Sequence, residues 1–262
     1  MDIFFLILSG LLAGGFASLL GIGGGILIVP ILSLIFGLSM HTAIGTSLLC
    51  VIATSVGAAP YYIREGLTDI RLGLSLELST TLGAIIGGSL AGVLRSDTLS
   101  IIFGFLLFYI GFYMIFKRAQ SQGSSGEAGR FSSYEVRNLP LGMGICFFAG
   151  NFSGLLGVGG GFLKVPAMHY PMRIPLKKAV ATGNFMVSIT ACAGALLYYF
   201  RGDVNPAAAA PMIIGVLMGS FFGSRLIYRI KADLIRKIFV AIIFYSALRM
   251  LFQGFNFHIL KF

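Results

Sequence analysis

Apolar runs of about 18 residues or more recur along the chain, each long enough to cross a hydrocarbon core about 30 Å thick. Short polar turns separate them. The pattern predicts spans at residues 3–20, 42–63, 72–94 and 98–116. The segment after the first run breaks the rule, because Gly21-Ile22-Gly23-Gly24-Gly25-Ile26-Leu27-Ile28-Val29-Pro30 is loop-like sequence inside apolar surroundings. Glycine reaches left-handed dihedrals without steric cost, and proline removes a backbone donor. An eight-residue piece such as Ile22–Val29 rises only about 12 Å as a helix. Residues 3–38 therefore predict one crossing plus a broken or re-entrant element, which membranes tolerate only where protein or a water-filled cavity covers it. Tyr61, Tyr62 and Arg64 close the second run as interface residues do. Lys117–Asn138 is polar, rich in Ser and Gly, and reads as a flexible linker.

The pattern then starts again. Gly157-Val158-Gly159-Gly160-Gly161-Phe162-Leu163-Lys164-Val165-Pro166 repeats the first glycine stretch at an offset of 157 − 21 = 136 residues. At that offset Thr46 meets Thr182, Thr54 meets Thr190, Gly83 and Gly87 meet Gly219 and Gly223, and Asp97 meets Asp233. Chance likeness between apolar segments matches Leu with Ile, not Gly, Pro, Asp and Tyr in register. The expected fold is an all-α polytopic membrane protein with two tandem repeats, at 1–117 and 139–262, joined by a linker at 118–138. Basic clusters at Arg173, Lys177 and Lys178 and at Arg225–Lys237 both belong in the cytoplasm by the positive-inside rule. Counting 3–38 as one net crossing gives about four crossings per repeat, and the two repeats then run parallel. That arrangement puts the linker, with Lys117, Arg118, Arg130 and Arg137, outside. If 3–20 and 22–38 both cross, each repeat has five spans and the repeats are inverted.

Composition agrees with the pattern. Of 262 residues, 57% are hydrophobic and 11% charged, against about 25% charged in a soluble domain; the mean hydropathy is +0.93. The net charge of +10 does not point to nucleic acid, because the basic residues sit between apolar runs, where anionic lipid and cytoplasm want them. Cys50, Cys146 and Cys192 lack metal-ligand spacing and read as packed free thiols. Met1-Asp2 has no basic region and no small-residue cleavage site follows, so the first run is kept as a membrane segment.

The residues offer no catalytic set: His41, His169 and His258 are scattered, and the glycine stretches lack the Lys-Ser/Thr ending of a nucleotide loop. No cofactor and no metal site is expected, and the protein reads as no enzyme. Glycine turns instead form concave nests of backbone N–H groups that hold anions, and broken helices at mid-membrane are where secondary transporters bind substrate. Gly23, Gly24 and Gly25 with Gly159, Gly160 and Gly161 are the candidate anion ligands, the two turns facing each other across a central site. Gly83/Gly87 and Gly219/Gly223 read as close helix contacts. Lys164, aligned with Ile28, is a candidate substrate cation or a lysine snorkelling to the interface. Thr46, Ser47, Thr182 and Asn184, the last aligned with Leu48, either line the cavity or bond helix to helix. Glu77, aligned with Ile213, is the acid well inside a span and the candidate for proton coupling.

The doubled Gly-x-Gly-Gly-Gly-x-x-x-Val-Pro, together with His41-Thr42-Ala43-x-Gly45-Thr46-Ser47 and Lys178-Ala179-x-Ala181-Thr182-Gly183-Asn184, resembles the sulfite exporter TauE/SafE family of membrane transporters over essentially the whole chain. The resemblance implies a multi-pass protein of the bacterial or archaeal inner (plasma) membrane. It also implies movement of sulfite, sulfonates or similar organic anions, driven by the proton-motive force. The expected partners are a small anionic substrate and membrane lipid, with no nucleic acid; the sequence sets neither the anion, the direction nor the oligomeric state. An uptake permease or channel of the same fold, and a non-transporting scaffold subunit, are the alternatives.

Overall fold

A computed structural model describes residues 3–20, 23–116, 136–226 and 232–259. Gly21, Ile22 and residues 117–135 of the expected linker lie outside the described residues. All the described secondary structure is helical: α1 (Ile3–Leu20), α2 (Gly25–Pro30, continued by a π turn at Ile31–Ile35), α3 (Met40–Arg64), α4 (Ile70–Ala91), α5 (Ser96–Phe116), α6 (Leu139–Leu156), α7 (Gly161–His169), α8 (Leu176–Phe200), α9 (Pro206–Leu226) and α10 (Ala232–Ile259). Among the described residues seven helices, α3 to α6 and α8 to α10, are long and apolar enough to cross a membrane, and Ile3–Ser18 and Gly25–Ile35 form shorter apolar helices. The chain is a polytopic, all-α membrane protein.

Local chemistry sets the helix ends. Ser39 caps α3 by accepting from the Thr42 N–H at 3.2 Å, and Asp69 caps α4 by accepting from Leu72 N–H at 2.9 Å. Asn205 does the same for α9, accepting from Ala208 N–H at 3.1 Å. Such caps satisfy donors that a helix start leaves without an acceptor. Pro30 has no N–H to continue α2, and the ladder widens into the π turn, where Phe36 N–H reaches the Ile31 carbonyl at 3.2 Å.

Matching elements start at the same 136-residue offset seen in the sequence, α1 with α6, α2 with α7, α3 with α8, α4 with α9 and α5 with α10. They do not pack as two separate halves. α1 lies on α9, α4 on α6, α5 on α10, and α3 on α8. Small residues make the closest of these contacts: a Cβ on Gly83 would lie 2.9 Å from the Asn151 nitrogen, and one on Gly219 2.9 Å from the Gly15 nitrogen. Close helix approach, the role read for those glycines, is what they provide.

The direction of the helices corrects the parallel arrangement. Early α3 meets late α8, with Gly45 against Tyr198, while Ser55 in late α3 donates to the Asn184 carbonyl in early α8. Matching helices therefore run antiparallel, as in the inverted alternative. The cause lies in the broken element. Tyr62, near the end of α3, donates to the Ser18 carbonyl at 3.0 Å, so α1 ends at the face where α3 ends. Residues 25–38 then run from mid-depth to the face where α3 begins, so the broken element completes a return passage in addition to α1, α3, α4 and α5. Basic residues consequently gather on one face. Arg64, Arg71, Arg137, Arg173, Lys178 and Arg225 lie at helix ends there, whereas at the opposite face Arg95 and Arg201 are paired with Asp97 and Asp203 at 3.4 and 3.1 Å. The linker ends join the basic face and no longer contradict the charge rule. Cys50 and Cys146 are buried as expected, but Cys192 is exposed on the outer surface of α8.

Candidate functional site

The two glycine turns meet in the middle of the bundle. Gly23, Gly159 and Gly160 have φ of 85°, 84° and 73°, and Gly157 has 72°, a region closed to most side chains. A Cβ on Gly23 would lie 2.7 Å from the Val158 carbonyl oxygen, and one on Gly25 2.7 Å from Val158 Cα. A Cβ on Gly159 would meet Val51 and Val187, each at 2.9 Å; these residues sit near the centres of α3 and α8. The turns thus face each other, but in direct backbone contact and with no space for an ion between them. They place the starts of α2 and α7 at mid-depth, and α2 is buried along its whole length.

Ser47 belongs to this junction. Its hydroxyl lies 2.7 Å from the Ile44 carbonyl and 3.0 Å from the Gly157 carbonyl, and so steadies the second turn from α3. Thr46 and Thr182 do not. Thr46 Oγ1 accepts from the Asn205 N–H at 3.1 Å, and Thr182 Oγ1 accepts from the Asp69 N–H at 3.0 Å. Each anchors the capping residue of a helix from the other half. Asn184 is buried, with both side-chain polar atoms unpartnered. His41, from the doubled motif, stands away from the turns: its ring nitrogens bond Ser96 Oγ at 2.9 Å and the Ala91 and Leu94 carbonyls at 3.1 and 3.0 Å. It ties the start of α3 to the corner between α4 and α5.

Lys164 and Glu77, 87 residues apart in sequence, form one buried pair. Lys164 is fully buried and Glu77 is 3% exposed, so the lysine does not snorkel. Its Nζ lies 3.4 Å from Glu77 Oε2 and donates to Thr190 Oγ1. Thr190 in turn donates to Glu77 Oε1, and Thr81 Oγ1 approaches the same oxygen at 3.4 Å. The triangle joins α7, α4 and α8. A charge in this setting persists only with a partner, because desolvation costs several kcal/mol per ion. Each charge here supplies the other's counter-ion, and Thr190 fills a remaining hydrogen-bonding position on both. Thr190 was visible in the sequence only as the match of Thr54; what singles it out is its contact with both charges.

The chain matches the family model described as sulfite exporter TauE/SafE over residues 6–250. It is 29% identical to the "probable membrane transporter protein YunE" of Bacillus subtilis, over 97% of this chain and 99% of that protein. A "probable membrane transporter protein" of Xylella fastidiosa (strain Temecula1) is 30% identical over 94% of each chain, and YfcA of Escherichia coli K12, described in the same words, is 27% identical over 93% of this chain and 87% of its own length. No solved structure matches. With the family model matched over residues 6–250, and with seven of the described helices long and apolar enough to cross a membrane, the chain belongs to the sulfite exporter TauE/SafE family of membrane transporters.

Proposed function

We propose that the protein is a secondary transporter that exports a small sulfur-containing anion of the sulfite or sulfonate type by alternating access. Its membrane is the inner (plasma) membrane, with the basic face in the cytoplasm. One observation carries the reading: the Lys164–Glu77–Thr190 triangle joins the short helix α7 to α4 and α8, so a charge exchange there changes what holds α7 to its neighbours. An incoming anion takes the place of Glu77 beside Lys164. The displaced carboxylate, left without its cation in a dry site, takes up a proton. Anion and proton then load together. A dianion carried with one proton moves one net negative charge outward, and an inside-negative potential favours that by about 2.3 kcal/mol per 100 mV. The two glycine turns, in contact at mid-depth, are the pivot about which α2 and α7 change places.

The test is flux of labelled sulfite in proteoliposomes at varied pH and potential. Glu77→Gln removes the proton acceptor and keeps a hydrogen-bonding group of the same size, but leaves Lys164 without its counter-ion at a cost in stability. Transport by the folded protein, where the anion itself pairs with Lys164, is expected to continue while losing its dependence on pH. A pH dependence equal to that of the unaltered protein overturns the role of Glu77. Normal flux in a folded variant without Lys164 overturns the site.

A further inference from the structure

We propose that Asn184 is a second substrate station, on the basic-face side of the glycine turns, and that it selects anions carrying a hydrogen-bond donor as well as acceptor oxygens, of which a hydroxylated sulfonate is the chemical class. The inference rests on the transport reading above and adds the kind of anion.

Asn184 is 1% exposed, and neither its Nδ2 nor its Oδ1 has a partner. Its backbone carbonyl, by contrast, accepts from Ser55 Oγ. The position along α8 is fixed by its neighbours at three-residue spacing. Ala181 packs with Ala58 and Tyr62 near the end of α3, and Val187 touches the second glycine turn. Asn184 lies between them, on the stretch from the basic face to the turns. Packing does not demand an amide there. The matching position, Leu48, is fully buried, and its Cδ1 lies 3.2 Å from where a Cβ on Gly194 would sit. A leucine thus serves the same place in the other half without any polar atom.

An asparagine amide offers two N–H donors and one acceptor oxygen. Buried unpaired polar groups are costly and call for an occupant. A bare oxyanion would satisfy Nδ2 and repel Oδ1. An anion that also bears a hydroxyl satisfies both ends, its oxygens accepting from Nδ2 and its O–H donating to Oδ1. Asn184 and Thr190 lie roughly 120° apart around α8 and more than a turn apart along it, so this station is separate from the Lys164–Glu77 pair, which supplies charge and not donor recognition.

Thermal shifts of the purified full chain with 2-hydroxyethanesulfonate and ethanesulfonate, which differ by one hydroxyl, test the proposal. The hydroxylated anion is expected to half-saturate the unaltered protein at several-fold lower concentration. In Asn184→Leu, the melting temperature without ligand should rise, because two unpaired polar atoms are gone, and the two anions should become equal. Equal half-saturation in the unaltered protein overturns the proposal whether or not the variant folds, and so does a preference that survives Asn184→Leu. Those results leave the transport reading standing. No shift with either sulfonate or with sulfite removes the transport reading and this station together.

Discussion

Ile28 and Lys164 hold the same place in the two halves of the chain, each in the first turn of a short helix that leaves a glycine turn at mid-depth. Ile213 and Glu77 are likewise matched, on α9 and α4. Thr54 and Thr190 complete the two sets: Thr54 Oγ1 donates to the Cys50 carbonyl at 2.9 Å, whereas Thr190, whose Oγ1 lies 3.1 Å from the Met186 carbonyl, gives its proton to Glu77. One set is apolar: Ile28 is fully buried and Ile213 packs against the same core. The other carries a cation and an anion, both of them buried. A bundle position that works with two isoleucines does not need an ion pair to hold it; of two matched sites, each built from both halves, the transport reading puts substrate handling at the charged one. Ile28 and Ile213 are the internal control.

Removing one charge gives the largest effect. Lys164→Met leaves Glu77 buried without a counter-ion, and breaking such a pair costs about 3–5 kcal/mol. The double variant Lys164→Ile with Glu77→Ile copies the apolar set. Replacing a buried pair by packed apolar residues is neutral or stabilising by about 1–4 kcal/mol, so the double variant should melt at or above the unaltered temperature while sulfite flux disappears. Calorimetry beside flux checks both. A double variant as unstable as Lys164→Met would show that the pair is structural, and that the two halves are not interchangeable.

A smaller contrast separates the turns. Gly160, with φ of 73°, caps α7, and a Cβ there would lie 2.7 Å from the Ala149 carbonyl oxygen; its match Gly24 has φ of −64° and would meet only side-chain atoms, of Ile28 and Thr54, at 2.9 Å. Gly160→Ala should therefore cost more than the roughly 1–2 kcal/mol of left-handed strain, because a backbone carbonyl cannot step aside as a methyl group can. Gly24→Ala should cost under about 1 kcal/mol. Denaturation midpoints in detergent measure the difference, and equal costs would mean that the two turns share one backbone shape in the membrane.

Much of the fold was legible because long apolar runs, two glycine–proline stretches and a constant offset report on local structure. Helix direction was not, since it hung on whether residues 22–38 return across the bundle, and a run broken at Pro30 is too short to read as a span. The site was half legible. Lys164 and Glu77 each stood out as a charge in apolar sequence, but periodicity along one helix cannot say that α7 and α4 are neighbours. One clue was present: both charges replace isoleucine at the offset, and they have opposite signs, which is what a pair gained together looks like. Which of the two roles the threonines take was hidden for a related reason. Thr46 and Thr182 lie in helices beside the broken elements, yet their partners are Asn205 and Asp69, far away in sequence and visible only once the halves interleave.

Those threonines give the last and smallest contrast, which should be no contrast at all. Thr46 and Thr182 accept from matched capping residues at 3.1 and 3.0 Å, and neither bond involves the ion pair. Valine keeps the shape and removes the hydroxyl oxygen, which leaves the N–H of Asn205 or Asp69 without its acceptor. Each substitution should cost about 1 kcal/mol, the usual net worth of such a bond, and the two costs should agree. Sulfite half-saturation should not change in either variant. If Thr182→Val weakens the anion response while Thr46→Val does not, Thr182 contributes to the charged site beyond anchoring α4, and the asymmetry between matched positions extends further than one lysine, one glutamate and one asparagine.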